Sequence, residues 1–140
     1  MTIKARIQGG VRTNHSTPYQ RSYGFDFNMT NGNGPSPGLV VATPQGTEVD
    51  LSQLVNPVFG MVINESDVAI ELGIFNSDQA EFYPFMRVPP RKALPWFCSP
   101  NILGEYASGT GTGLTGQSNK LMAKSMGSSD ADVIIELFDE

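Results

Sequence analysis

With 140 residues and a net charge of −5, the chain has room for one domain with its own core. It has too little clustered Lys and Arg to grip a phosphate backbone. One histidine (His15) and one cysteine (Cys98) exclude an internal disulfide and a Cys/His metal centre. No apolar run approaches the roughly 18 residues that span a membrane, and MTIKARIQGG lacks the continuous apolar stretch of a secretory signal. Neither a nucleic-acid nor a membrane partner is expected, and no cofactor.

Side-chain alternation sets the expected strands. Thr2 to Gln8 puts Ile3, Ala5 and Ile7 on one face and Lys4, Arg6 and Gln8 on the other, and Gly9-Gly10 is read as its stop. Residues 11–20 read as polar and irregular. Arg21 to Met29 alternates again, with Tyr23, Phe25, Phe27 and Met29 on one side. Residues 31–38 are expected to be loop, because Asn-Gly pairs favour positive φ and proline removes donors. The expected strands at 39–42 and 47–51 flank Pro44-Gln45-Gly46, which suits a hairpin turn. Leu51 to Leu54 allows one short turn.

Further strands are expected at 58–63, 68–74, 81–88 and 93–98, with turns at 64–67, 76–78 and 89–92. The strand at 93–98 carries Leu94, Trp96 and Phe97, and Trp96 reads as core. A short strand at 102–107 and a glycine-threonine loop at 108–116 follow. Strands at 120–126 and 132–138 close the chain, the last with Val133, Ile135 and Leu137 on one face and Ile134 on the other. The pattern predicts an all-β chain of about 9 to 11 short antiparallel strands: a jelly-roll-like β-sandwich or barrel. Residues 1–38 are expected to form an extended N-terminal arm with the first strands, and residues 39–140 the β-sandwich domain.

Catalysis finds little purchase. Gly111-Thr112-Gly113-Leu114-Thr115-Gly116 matches G-x-G-x-x-G, but no helix follows it and no βαβ unit surrounds it, so it reads as a flexible loop. His15 sits among polar residues with no spaced nucleophile and acid. Cys98 follows two large aromatics and reads as a small buried apolar residue. The i, i+2 carboxylate pairs Asp130/Asp132 and Glu48/Asp50 could hold a hard cation or keep a strand edge solvated, and the edge reading is favoured. The glycosylation triplets at Asn14, Asn28 and Asn64 read as chance. The chain is not expected to be an enzyme.

Partner binding is the stronger reading. Residues 1–25 carry Lys4, Arg6, Arg12 and Arg21 and no acid, so that segment is +4 and the remainder −9, which together make the net −5. A basic arm facing an acidic surface, its own or a neighbour's, fits that division. Tyr19, Tyr23, Phe25 and Phe27 stand among glycine, asparagine and proline with little aliphatic bulk. Such a segment either pairs within its own domain or completes a neighbouring chain's sheet. The expected interface residues are therefore Ile3, Lys4, Arg6, Ile7, Arg12, Tyr19, Arg21, Tyr23, Phe25 and Phe27 on the arm, and Arg91 and Lys92 on a loop.

From Leu39 onward, the succession Gly46-Thr47-Glu48-Val49-Asp50-Leu51, Asn56 to Asn64, Val68 to Phe75, Phe82 to Val88, Pro89-Pro90-Arg91-Lys92-Ala93 and Val133 to Phe138 resembles small virion proteins of tailed bacteriophages. The resemblance is to jelly-roll-like capsid decoration (cement) proteins and covers about 100 residues. It implies a non-enzymatic protein on the capsid surface, made in the host cytoplasm. It also implies the major capsid protein as partner and self-association as a homotrimer or homodimer. Two other readings remain: another virion component (a tail, head-completion or fibre-base subunit), or a carbohydrate-binding β-sandwich with Trp96, Tyr83 and Tyr106 as stacking platforms.

Overall fold

The computed structural model describes residues 3–14, 19–29, 34–54, 57–97 and 119–139. Among these, ten strands and no helix occur: β1 (Ile3–Thr13), β2 (Tyr19–Met29), β3 (Ser36–Ala42), β4 (Thr47–Glu48), β5 (Pro57–Asn64), β6 (Ile70–Asn76), β7 (Glu81–Val88), β8 (Ala93–Phe97), β9 (Asn119–Ser125) and β10 (Ala131–Asp139). The chain is all-β, and its main body is a β-sandwich. The expected strand at 102–107, the loop at 108–116, Tyr106, Cys98 and His15 lie outside the described residues.

β1 and β2 form a two-stranded antiparallel ribbon. The other eight strands make two four-stranded sheets, in the orders β3-β10-β5-β8 and β4-β9-β6-β7. Their partners are nested about the β6–β7 turn: β6 with β7, β5 with β8, β4 with β9, and β3 with β10. Strands β3 to β10 are therefore paired as one long hairpin, rolled so that successive rungs fall in alternate layers.

Period-2 alternation fills the space between the layers. Val40, Ala42, Val62, Trp96, Val133, Ile135 and Leu137 from one sheet meet Ile70, Leu72, Ile74, Val88, Leu121 and Ala123 from the other, and all are buried. Each large side chain so removed from water contributes roughly 1.5–3 kcal/mol. Trp96 belongs to this core, as its neighbours in sequence suggest, with Phe85 edge-on to its ring at 5.4 Å.

The structure departs from the sequence reading in five places, one being β4, which covers only Thr47–Glu48 of the strand expected at 47–51. The glycine pair expected to stop β1 lies inside it, because Gly9 faces Tyr23, whose ring lies across it. A Cβ built on Gly9 would stand 2.6 Å from Tyr23 Oη. An aromatic laid over a cross-strand glycine shelters the backbone bonds that glycine leaves bare. Residues 11–13 and 19–20, expected to be irregular, are thus strand. β3 starts at Ser36, inside the expected loop and ahead of Leu39, and an edge strand of this kind tolerates Pro37.

The turn at Thr43–Gly46 forms, with Gly46 N–H donating to Thr43 O at 3.1 Å and Gly46 at φ 106°. It joins no hairpin: β3 pairs with β10 and β4 with β9, so the turn is a corner between layers. Thr47 fastens it, its Oγ1 donating to Val41 O at 2.7 Å and accepting from Thr43 N at 3.2 Å. Finally, the strand expected from residue 68 begins at Ile70, because Ser66 and Val68 are bound into a turn by Asn64 and Ser66 Oγ.

Candidate interaction surface

Directly opposed residues of an antiparallel pair share a face, so the β1–β2 register sorts the ribbon into two rows. One pairs Lys4 with Asn28, Arg6 with Asp26, Gln8 with Gly24 and Arg12 with Gln20. The other pairs Ala5 with Phe27, Ile7 with Phe25, Gly9 with Tyr23, Val11 with Arg21 and Thr13 with Tyr19. The ribbon is polar on one side and apolar on the other.

One end of the apolar row is anchored. The Phe27 ring stacks on Phe59 at 4.1 Å and 6°, and Phe59 stacks on Phe138 at 5.2 Å and 9°. Ile7 packs against the same group, and Phe59 is buried. Phe59 and Phe138 are opposed in register and alternate with the core residues Val62 and Leu137, so this cluster lies on the outer face of β3-β10-β5-β8. Stacked pairs contribute about 0.5–1.5 kcal/mol beyond the area they bury. On the polar row, Arg6 Nη1 donates to Asp26 Oδ1 at 2.7 Å, an exposed pair that adds little.

Past the anchor the apolar row is about half exposed. Phe25 is 50% exposed, Tyr23 41%, Val11 55% and Tyr19 49%. Tyr23 and Phe25 lean together at 5.9 Å and 41°. A lone two-stranded ribbon is marginal in water, and this one presents apolar side chains along most of its length.

The two sheets differ on their outer faces. On β4-β9-β6-β7 that face is charged: Lys120 Nζ lies 3.3 Å from Glu48, Glu71 stands between Arg87 and Lys124, and Lys124 sits over the Phe82 ring at 5.7 Å. On β3-β10-β5-β8 the register places Leu39, Ile134, Ile63 and Ala93 in one row and Pro37, Glu136, Met61 and Pro95 in the next. Leu39 is 64% exposed. Asp132 and Glu136 are the only charged residues on the outward positions of β3, β10, β5 and β8.

Arg91 and Lys92 lie in the β7–β8 turn. The β5–β8 ladder runs from Ile63–Ala93 beside that turn to Phe59–Phe97 at the arm, about 13 Å of strand. The structure therefore sets the two groups of expected interface residues at opposite ends of one sheet. Arg91, at φ 57°, donates from Nε to Asp67 Oδ1 at 2.9 Å. That hydrogen bond, with the guanidinium charge, holds the Asp67 carboxyl below its usual range. Lys92 O accepts from Asn64 N–H at 2.9 Å, and its side chain is exposed.

The other expected residues are all on the ribbon. Lys4 and Arg12 are exposed on its polar row, Arg21 is exposed on its apolar row, and Ile3 pairs through its backbone with Met29. Phe59 and Phe138, the floor of the anchor, were not anticipated. A partial signal for them is present: β5 is apolar on both faces, and β10 carries Ile134 and Phe138 on the face opposite its core residues, which a sandwich with one buried side does not need.

Tyr83 is half-exposed, and the Glu81 carboxylate that accepts from its hydroxyl raises its pKa. No group of three His, Cys, Asp or Glu side chains that could hold a metal occurs among the described residues. No family model, no curated protein and no solved structure matches this chain.

Proposed function

We propose that the chain is a non-enzymatic structural protein of a bacteriophage virion, a capsid decoration or cement protein that binds and stabilises the assembled shell. The observation that carries this reading is the anchored ribbon, whose apolar row stays exposed from Phe25 to Tyr19. A surface of that kind is built for a neighbour. The nested strand pairing supports reading the sandwich as a jelly roll, an architecture used by viral capsid domains.

The mechanism is thermodynamic. A protein that binds the closed shell and not its separated subunits stabilises the shell by mass action. The arm and the Arg91-Lys92 turn sit at opposite ends of the sheet, so two weak contacts act together on adjacent subunits. The major capsid protein and further copies of this chain are the partners, on the capsid surface.

The test is co-sedimentation with empty heads, followed by their melting. Saturation at a fixed stoichiometry with a rise in head melting temperature supports the reading. Failure to bind heads overturns it: recovery with tails would point to a tail subunit, and retention on immobilised glycans to a sugar-binding module. Burial of Trp96 weighs against the sugar reading.

A further inference from the structure

We propose that the open edge of β1 takes a further strand: an extended segment of another protein, alternating apolar and acidic residues, laid in the groove between the ribbon and the outer face of β3-β10-β5-β8. The inference rests on reading the ribbon as an interface, and it names the edge used and the kind of segment that binds there.

Among the described strands, four edges bound the sandwich, and each is a poor place to add a strand. β4 has two residues, and β3, β7 and β8 carry Pro37, Pro84 and Pro95. Proline takes a donor from an edge and blocks pairing there. At β3 the Thr47 hydroxyl also occupies Val41 O. β1 is different. It runs for 11 residues without proline, with β2 on one side and no described strand on the other. Every second residue of β1 therefore turns its N–H and C=O away from β2.

Beside that edge lies an open groove of about 370 Å³, lined by Arg6, Ile7 and Gln8 of β1 and, on the sheet, by Phe59, Met61 and Phe138. No residue of β2 lines it. The ribbon touches the sheet through the Phe27–Phe59 stack, and the groove is the space left on the β1 side of that contact. A strand added to β1 would lie over this floor.

The two faces of β1 dictate what fits. Ile7 belongs to the row turned toward Phe59, and Lys4, Arg6 and Arg12 belong to the row turned away. A strand paired with β1 shares those two faces. Its inward residues meet Ile7, Phe59 and Met61, so apolar side chains fit there. Its outward residues stand beside Lys4, Arg6 and Arg12. β1 itself holds no acid, and Asp26 is the one carboxylate across the ribbon from these cations, so acidic side chains complement the outer row. The chain's own segments of this pattern are committed elsewhere. Thr47 to Leu51 has it, but Val49 and Leu51 are buried in the core. β10 has it, but is paired on both sides. Residues 98–118 hold a single acid, Glu105. The segment therefore comes from a different protein.

The probe is a capped synthetic peptide, Thr-Glu-Val-Glu-Val-Glu-Val-Thr, added to the full chain and followed by calorimetry and amide exchange. Every second amide of β1 should gain about tenfold protection or more, while those already bonded to β2 stay unchanged. A scrambled peptide of the same composition, and an alternating one with Lys in place of Glu, should each bind about tenfold more weakly or worse. Lys4→Glu with Arg12→Glu, both exposed, and Met61→Lys at the groove floor should weaken binding to a similar degree. Circular dichroism and melting show whether each variant keeps its fold, and the charge variant removes no packed side chain. Absence of binding overturns the proposal. So does equal binding of the scrambled peptide, or binding that leaves β1 exchange unchanged. Heads play no part in this assay. A chain that takes the peptide and ignores heads keeps the groove and sinks the cement reading, and one that decorates heads but refuses the peptide does the opposite.

Discussion

Asn64, 1% exposed, is the most heavily committed polar side chain described. Its Nδ2 donates to Val68 O at 2.8 Å and is within 3.1 Å of both Val88 O and Pro89 O. Its Oδ1 accepts from Ser66 N at 3.0 Å and Ser66 Oγ at 2.7 Å. One amide thus ties the end of β5 to the turn before β6 and to the turn after β7. Asn64→Ala leaves several buried backbone acceptors without donors, and we expect a loss of about 2–4 kcal/mol, read as a lower urea midpoint at unchanged slope. The sequence places Asn64 in a turn, but its bonds to Val88 and Pro89 cross more than twenty residues and leave no local trace. The Asp67–Arg91 pair makes a smaller, pH-dependent prediction. Because the folded Asp67 carboxyl titrates below its ordinary 3.8, the pair stabilises the fold above that value. The gain disappears as pH falls through the lowered folded value. In Arg91→Ala, the Asp67 carboxyl midpoint followed by NMR should move up toward the ordinary value.

At the scale of elements, the ribbon and the sandwich have separate supports. Phe27→Ala removes the top ring of the stack and leaves the core between the sheets untouched. Amides of β1 and β2 should then exchange about tenfold faster or more, while those of β6 and β10 keep their protection. Alternation alone located most elements. The strand at 81–88 matches the expected one, and β10 differs from its expected span by one residue at each end. The failures have physical causes. A glycine pair reads as a stop only when nothing shelters it, and here the shelter is Tyr23 from the partner strand. Proline-rich residues read as loop, yet β3 is an edge and can carry Pro37. The arm's aromatics stand out in composition as a segment with little aliphatic bulk to bury them, and Tyr19, Tyr23 and Phe25 are each at least two-fifths exposed. Their floor, Phe59 and Phe138, is not singled out by the sequence, because apolar residues on a strand's second face mark that something covers it without saying what.

For the whole molecule, the nested pairing orders the folding. Asn76 pairs with Glu81 across a short turn, whereas Ser36 pairs with Leu137 across nearly the whole sandwich. Loop closure favours the inner rungs first and makes the outer pairing late. Ile74→Ala in β6 should therefore show a φ-value of about 0.5 or more, and Val40→Ala in β3 one below about 0.3, in folding and unfolding rates measured against denaturant. The class of the fold was readable because the strand spacing repeats. The division into layers was not, since it depends on which strands pair at long range.

The same rolled path carries a practical consequence. It returns the end of β10 to the start of β3, and Phe138 belongs to the stack that roots the arm. A purification tag or displayed cargo joined after β10 lands beside that root and crowds the ground the arm stands on. The turn at 126–130 lies at the far end of the same strand, where Ser125 Oγ donates to Ser129 O at 2.6 Å. Cargo grafted there leaves the arm clear, and comparing the solution masses of the two fusions would show which graft the assembly tolerates.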